Sequence, residues 1–239
     1  MKKCFLALLF CFQLSFSQQV DHLDTVLKQL NLKESDINQN LFTQKILPYD
    51  KDKSVLVIPK YIVNEEDNEG HFYFELDAYI VVIDNATGKI ICKFIEPNAW
   101  TSDAFVLTDI SIDTGLYLLN KTTRAFGVRV DFNASSKPNP FSETNLSLYI
   151  IEKGSLKQVL KNYKISQSHG EWDTNCAGEF EYSNSTFDMG KVQNNNFSNI
   201  IVKTKIVQTI STPTKDDCIS KDTIKTETSK LVFNGKEYK

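Results

Sequence analysis

The chain has 239 residues and carries 30 acidic against 27 basic side chains, a formal net charge of −3 at neutral pH. This length is enough for one sizeable β domain or two small ones with a real hydrophobic core. The mild, scattered negative charge argues against binding to nucleic acid or to anionic membrane surfaces, because both require basic patches. We therefore expect no nucleic-acid partner.

The first residues have the pattern of an export signal. A basic start at Lys2 and Lys3 precedes an apolar stretch from Phe5 to Phe12, and Ser15-Phe16-Ser17 resembles a cleavage site. The apolar stretch is shorter than the roughly 20 residues of a transmembrane helix, and no second apolar segment of that length follows. The sequence predicts a signal peptide at 1–17 and an exported protein, periplasmic or secreted, with no transmembrane segment after cleavage.

Residues 18–50 are predicted to form one helix and a connector. Apolar residues recur at helical spacing at Val20, Leu23, Val26, Leu27 and Leu30. The polar run from Glu34 to Asn40 that follows indicates either a second short helix or an irregular connector. We expect this connector to cover a sheet edge or the end of a barrel.

From residue 51 onward the apolar pattern changes to a period of two, and 51–239 is predicted to be one antiparallel β domain. Strict alternation at Phe126–Phe132 is typical of a half-buried strand. Asp84–Lys89 is predicted to be a hairpin turn, Thr114-Gly115 another turn, and Asn234-Gly235 the tight turn of a small terminal hairpin. Leu156–Ser166 fits a helix or a bulged strand, and the tight turn before it favours the strand.

These segments predict a mainly β fold of about ten to twelve strands with one N-terminal helix. The connections are too short for parallel crossovers, so the strands should pair antiparallel. A sandwich or an open barrel is expected. A small propeller-like fold is the alternative, although no repeat of about 40 residues supports it.

The cysteines divide into two groups. Cys4 and Cys11 lie within the signal, and bulky Phe10 makes Cys11 a poor lipidation site. Cys92 lies in an apolar strand pattern typical of a buried thiol. Cys176 and Cys218 are in polar, turn-like segments and are the natural disulfide pair of an oxidising compartment. The alternative is three unpaired thiols. We expect no metal site and no cofactor.

One cluster of functional character spans Ser168–Cys176. Its candidate binding residues are His169, Glu171, Trp172 and Asp173. Trp172 could stack on a sugar or a peptide, and Glu171 and Asp173 would point the same way in an extended chain. Such a carboxylate pair could support acid–base work on a glycoside. In the alternative interpretation this is a disulfide-anchored loop whose Trp172 packs onto the core.

A thiolate nucleophile formed by Cys176 with His169 or His71 is a further hypothesis, which fails if Cys176 is bridged. The sequence has no nucleophile elbow, phosphate-binding loop, zinc-protease motif or calcium loop. This pattern favours a non-enzymatic protein.

Several motifs resemble those of secreted and envelope proteins of Gram-negative bacteria of the Bacteroidota type that have no assigned activity. They are Ser15–Gln19, Arg124–Arg129, Asn139–Thr144, Gly170-Glu171-Trp172 with Cys176, and Leu231–Tyr238. The resemblance implies an exported, β-rich protein and assigns no functional residue. We expect a non-enzymatic binding or envelope-associated domain that recognises a protein or glycan partner; the alternative is a secreted hydrolase acting on a polysaccharide.

Overall fold

The computed structural model describes residues 22–66, 72–134, 136–192 and 196–239. The predicted signal peptide at 1–17 therefore lies outside the described residues. One helix, α1 (Leu23–Leu30), and a 3-10 turn (Glu34–Asp36) precede the strands. The strands are β1 (Thr43–Leu47), β2 (Asp50–Glu66), β3 (Phe72–Asp84), β4 (Ile90–Ser102), β5 (Val106–Leu118), β6 (Arg124–Ala134), β7 (Phe141–Glu152), β8 (Ser155–Trp172), β9 (Gly178–Val192), β10 (Ser198–Pro213) and β11 (Cys218–Leu231).

The strands form two antiparallel sheets. The smaller has the order β1-β2-β3-β4 and the larger the order β11-β10-β9-β8-β7-β6-β5. Together they make a β sandwich, which confirms the predicted mainly β, antiparallel fold with one leading helix and selects the sandwich over the barrel and the propeller. The one α-helix in the described part of the chain is too short to cross a membrane.

The main core lies between the two sheets. On β6, Phe126, Val128 and Val130 face this core at alternate positions, as the period of two predicts. The strand is not half-buried, because Ala125 and Gly127 on its other face are buried as well. Phe126 stacks on Tyr149 of β7 with ring centroids 5.7 Å apart. Cys92 is buried in the same core and is a free thiol, as predicted.

Helix α1 packs on the outer face of the smaller sheet. Val26 and Leu27 contact Leu56 and Ile58 of β2 in a separate buried cluster. Asn31 ends the helix in the left-handed conformation, φ 55°, which asparagine tolerates better than most residues. Because β2 is covered by the helix on one face and by the larger sheet on the other, it is buried continuously from Val55 to Ile58.

The predicted connector has two different parts. Ile37 bridges Lys60, and the N–H of Asn38 donates to the carbonyl of Pro59, so this part covers the edge of β2 as expected. The residues from Thr43 to Leu47 instead form edge strand β1, which neither a short helix nor an irregular connector anticipates.

Of three local predictions, that of a turn within β5 is wrong, that of strand β8 is confirmed, and that of the C-terminal hairpin is confirmed except for its loop. The predicted turn at Thr114-Gly115 was wrong, because β5 continues through it as a bulge between Asp113 and Tyr117. Strand β8 is a bulged strand, as preferred. The terminal hairpin forms through a Phe233–Tyr238 bridge, but its loop has four residues and not the two of an Asn-Gly turn.

The β5 bulge is held by a charged cluster. Oδ2 of Asp113 accepts hydrogen bonds from the Tyr117 hydroxyl at 2.6 Å and from Nε and Nη2 of Arg129 at 2.8 and 2.6 Å. Burial acts to raise the pKa of Asp113, but these two donors and the Gly115 N–H outweigh burial, and the pKa lies below its ordinary value.

We expect Asp113→Asn to lower the free energy of unfolding at pH 7 by about 2 kcal/mol, because it removes hydrogen bonds to a charged acceptor. The folded-state pKa is depressed, so this stabilisation is present above the unfolded-state pKa of about 4 and is lost as pH falls through the folded-state value. Urea unfolding of both proteins from pH 7 to pH 3 measures the difference. A difference that does not shrink toward pH 3 would contradict the assignment.

Candidate functional site: a groove beside the disulfide

A groove of about 1510 Å³ lies at the end of the larger sheet where β8 meets β9. It is lined by the β6–β7 connection and by residues of β8, β9 and β10. Its lining includes all four predicted site residues: His169, Glu171, Trp172 and Asp173. The volume exceeds the usual 300–1,000 Å³ of small-molecule pockets, which favours an extended ligand.

The strand register places His169 and Glu171 on one face of the sheet. His169 lies opposite Glu181 of β9, and Glu171 lies opposite Glu179. Directly opposed residues of antiparallel strands share a face, so these four side chains form one surface, which we call the acidic face. His169, Glu171 and Glu179 are exposed and Glu181 is half-buried.

Neighbouring residues extend the acidic face on both sides. Gln208 of β10 lies opposite Glu181, and its Nε2 donates to Oε2 of Glu181 at 2.9 Å. Ile210 lies opposite Glu179 and is 52% exposed. On the β7 side, Phe141 lies opposite His169. The face thus combines carboxylates with apolar borders.

Trp172 belongs to the opposite face. Side chains alternate along a strand, and Trp172 lies opposite Gly178 of β9. The ring of Phe180 covers this region closely: a Cβ added to Gly170 would lie 2.5 Å from Cδ1 of Phe180. Trp172 therefore borders the groove, but its side chain projects from the opposite face of the strand to those of His169 and Glu171.

Asp173 leaves the strand and holds the β8–β9 turn. Its Oδ1 accepts hydrogen bonds from the backbone N–H groups of Asn175 and Cys176, each at 2.8 Å. The hydrogen bond from Asn175 is the main cause that lowers the pKa of Asp173. Because β8 ends at Trp172, the extended geometry that would align Asp173 with Glu171 is absent.

The predicted disulfide joins Cys176 to Cys218, with Cα atoms 5.7 Å apart. It connects the β8–β9 turn to the first residue of β11 and so anchors one side of the groove. Bridged Cys176 has no thiolate to offer, which removes the proposed nucleophile. His71, its alternative partner, lies outside the described residues.

An aromatic pair closes the other side of the groove. Phe105 and Phe141 meet edge to face with centroids 4.7 Å apart, and Phe105 is 48% exposed. Both rings also line a second cavity of about 390 Å³ that reaches Trp100 and Phe132 between the sheets. The groove therefore continues into a recess lined by aromatic rings together with Glu143 and two asparagines.

Among the described residues, the carboxylates of the acidic face have no close cationic partner, although Lys225 of β11 lies on the same face and interacts electrostatically with Glu181 at longer range. Across the part of the chain that the structure describes, no lysine or arginine lies within 4.0 Å of the Glu171, Glu179 or Glu181 carboxylates. Like charges placed directly opposite each other, such as Glu171 and Glu179, destabilise a sheet. No group of three potential metal ligands occurs among the described residues.

Sequence reasoning missed Glu179, Glu181, Phe105 and Phe141. The alternation Gly178-Glu179-Phe180-Glu181-Tyr182 does indicate two carboxylates on one strand face. These carboxylates lie beside Glu171 only because of the register between β8 and β9. No pattern of neighbouring residues in the sequence predicts that register.

Comparison with known proteins gave no match to a family model, to a curated protein or to a solved structure. The likeness to Bacteroidota envelope proteins stays a prediction from short motifs.

Proposed function

We propose that this protein is an exported, non-catalytic binding domain that holds an extended, positively charged polypeptide segment in the groove. The observation that carries the proposal is the acidic face, on which Glu171 and Glu179 lie directly opposite each other with no cation within salt-bridge distance among the described residues. A cationic ligand would supply the missing charge.

Charge complementarity supports this ligand class. A lysine or arginine placed between Glu171 and Glu179 relieves their mutual repulsion, whereas a neutral sugar does not. Each exposed ion pair contributes below about 1 kcal/mol, so charge provides selectivity more than affinity. The interaction should weaken steeply with salt because the carboxylates are exposed.

Apolar contacts supply the remaining affinity. Phe105, Phe141 and Ile210 border the acidic face, and aromatic anchors dominate many binding interfaces. The Cys176–Cys218 bridge restrains one rim of the groove, which reduces the ordering cost of binding. An alternating basic and apolar segment matches this arrangement of charges and rings.

We expect Glu171→Gln/Glu179→Gln to weaken binding of a labelled peptide with lysine at every second position by about fivefold, because two exposed ion pairs are lost. Fluorescence anisotropy at low and moderate salt measures the affinity. The control Asp24→Asn/Glu34→Gln neutralises two exposed acidic residues far from the groove and should leave binding unchanged. The same peptide with glutamine in place of lysine should bind at least about fivefold more weakly, and the two glutamate substitutions should then have no further effect.

Equal binding by the wild type and the Glu171→Gln/Glu179→Gln variant would reject the acidic face as the site. If the wild type does not bind the lysine peptide but does bind a member of an oligosaccharide panel, the proposed ligand is wrong and the groove binds a glycan.

A polysaccharide hydrolase is the second candidate, favoured by one observation. The Cβ atoms of directly opposed residues such as Glu171 and Glu179 are about 5 Å apart in antiparallel sheets, and retaining glycosidases require carboxyl groups at a similar separation. Release of reducing sugar from a polysaccharide panel, abolished in Glu171→Gln, would support this candidate. Absence of release across the panel would reject it.

A further inference from the structure

Strand β11 forms an open edge of the larger sheet. It pairs with β10 without interruption, from Cys218 opposite Pro213 at one end to Leu231 opposite Ile200 at the other. On its other side no strand of the described chain pairs with it. Every residue from Cys218 to Lys230 is exposed. A long unpaired edge of this kind presents a row of free backbone N–H and C=O groups.

Natural proteins protect such edges with bulges, short strands or lysines. Strand β11 has 14 residues and no register shift against β10. It does carry Lys221, Lys225 and Lys230, but Asp222 and Glu227 are interspersed among them. The edge is therefore open to a partner whose charges follow the complementary order.

A second copy of β11 has that order. A two-fold axis perpendicular to the sheet at Thr226 places Lys225 opposite Glu227 of the second copy, and Asp222 opposite Lys230 of the second copy. No like charges are opposed in this register. Moving the axis to Lys225 or to Glu227 brings that residue against its own copy, with two like charges face to face.

Apolar side chains form a row on the face of this edge opposite to Lys225 and Glu227. Ile224 lies opposite Val207, which lies opposite Tyr182, and these form a row across three strands. Ile224 and Tyr182 are 61% and 45% exposed. In the register centred on Thr226, Thr228 of the second copy lies opposite Ile224 at the end of this row.

We propose that the protein forms a two-fold dimer in which β11 pairs antiparallel with β11 of a second copy, centred on Thr226. The existing Lys225–Glu227 contact at 2.5 Å within one strand then becomes half of a four-charge cluster. This dimer involves the β11 edge only and does not depend on what the groove binds.

A second symmetric register also pairs most of the strand and opposes no like charges. Centred on Ile224, it places Ile224 against its own copy and Lys221 opposite Glu227 of the second copy. It joins the apolar rows of the two copies but leaves Asp222 and Lys225 without oppositely charged partners. The ion pairs therefore select the register centred on Thr226.

Engineered cysteines at the symmetry centre test the dimer. Opposed residues of antiparallel strands have Cα atoms 4.5–5.5 Å apart, within the range of a disulfide. We expect Thr226→Cys in the full mature chain to form a cross-linked dimer in oxidising buffer, seen on a non-reducing gel, and the matched variant Ile224→Cys to give no cross-linked dimer on that gel. Cross-linking of Ile224→Cys alone would overturn the proposed register.

Charge reversal provides an independent readout by sedimentation velocity. Lys225→Glu should abolish the wild-type dimer, and Lys225→Glu/Glu227→Lys should restore it, because the swapped charges again face their opposites. Lys215→Glu makes the same charge change in the β10–β11 turn and should leave the dimer intact. A wild-type protein that sediments as a monomer up to millimolar concentration would overturn the proposal.

Discussion

Replacing Cys176 and Cys218 together by serine is expected to lower Tm by about 10 °C. The bridge closes a loop between residues 42 positions apart. In the chain-entropy model this restriction of the unfolded chain contributes about 4 kcal/mol. For a protein of this length, each kcal/mol corresponds to a Tm change of roughly 2–4 °C.

Calorimetry with and without reductant measures the effect and supplies its control. Reductant should lower the Tm of the wild type to that of the double variant and should leave the double variant unchanged, because its only remaining thiol outside the predicted signal is buried Cys92. A double variant within about 2 °C of the wild type would show that the bridge does not stabilise the fold.

Phe126→Ala is expected to lower the free energy of unfolding by about 4 kcal/mol. Phe126 is 1% exposed and stacks on Tyr149 in the core between the sheets. Truncation removes buried apolar surface and leaves a cavity that strands of both sheets cannot fill without moving. Urea unfolding monitored by tryptophan fluorescence measures the loss.

Phe105→Ala is the matched control for this substitution. Phe105 is 48% exposed and lies at the rim of the groove, so its removal should cost about 1 kcal/mol or less. Equal destabilisation by the two variants would contradict the assignment of Phe126 to the main core.

Local periodicity predicted the elements in which large apolar residues alternate with other residues. Strand β6 carries Phe126, Val128 and Val130 at alternate positions, and this period identifies it although Ala125 and Gly127 on its other face are also buried. Strand β1 has only Ile46 and Leu47 as apolar residues, so it has no period to detect. It is a strand because β2 lies beside it.

The candidate site likewise depends partly on neighbouring residues and partly on strand pairing. His169, Glu171, Trp172 and Asp173 are neighbours in sequence, which made them one candidate cluster. Alternation along β8 places Trp172 on the face opposite to that of His169 and Glu171. The carboxylate of Asp173 binds the backbone of the β8–β9 turn and is not aligned with Glu171. Glu179 joins Glu171 only through the register of β9.

By itself the sequence determined the β-rich class, the leading helix and the Cys176–Cys218 pair, because alternation, helical spacing and cysteine context are properties of neighbouring residues. Only the tertiary structure decided that the strands form a sandwich, that carboxylates of β8 and β9 share an acidic face and that β11 is an open edge. These features depend on which strands pair and in which register. Pairing is set by the packing of residues far apart in the chain, and a shift of one residue reverses every side chain on a strand.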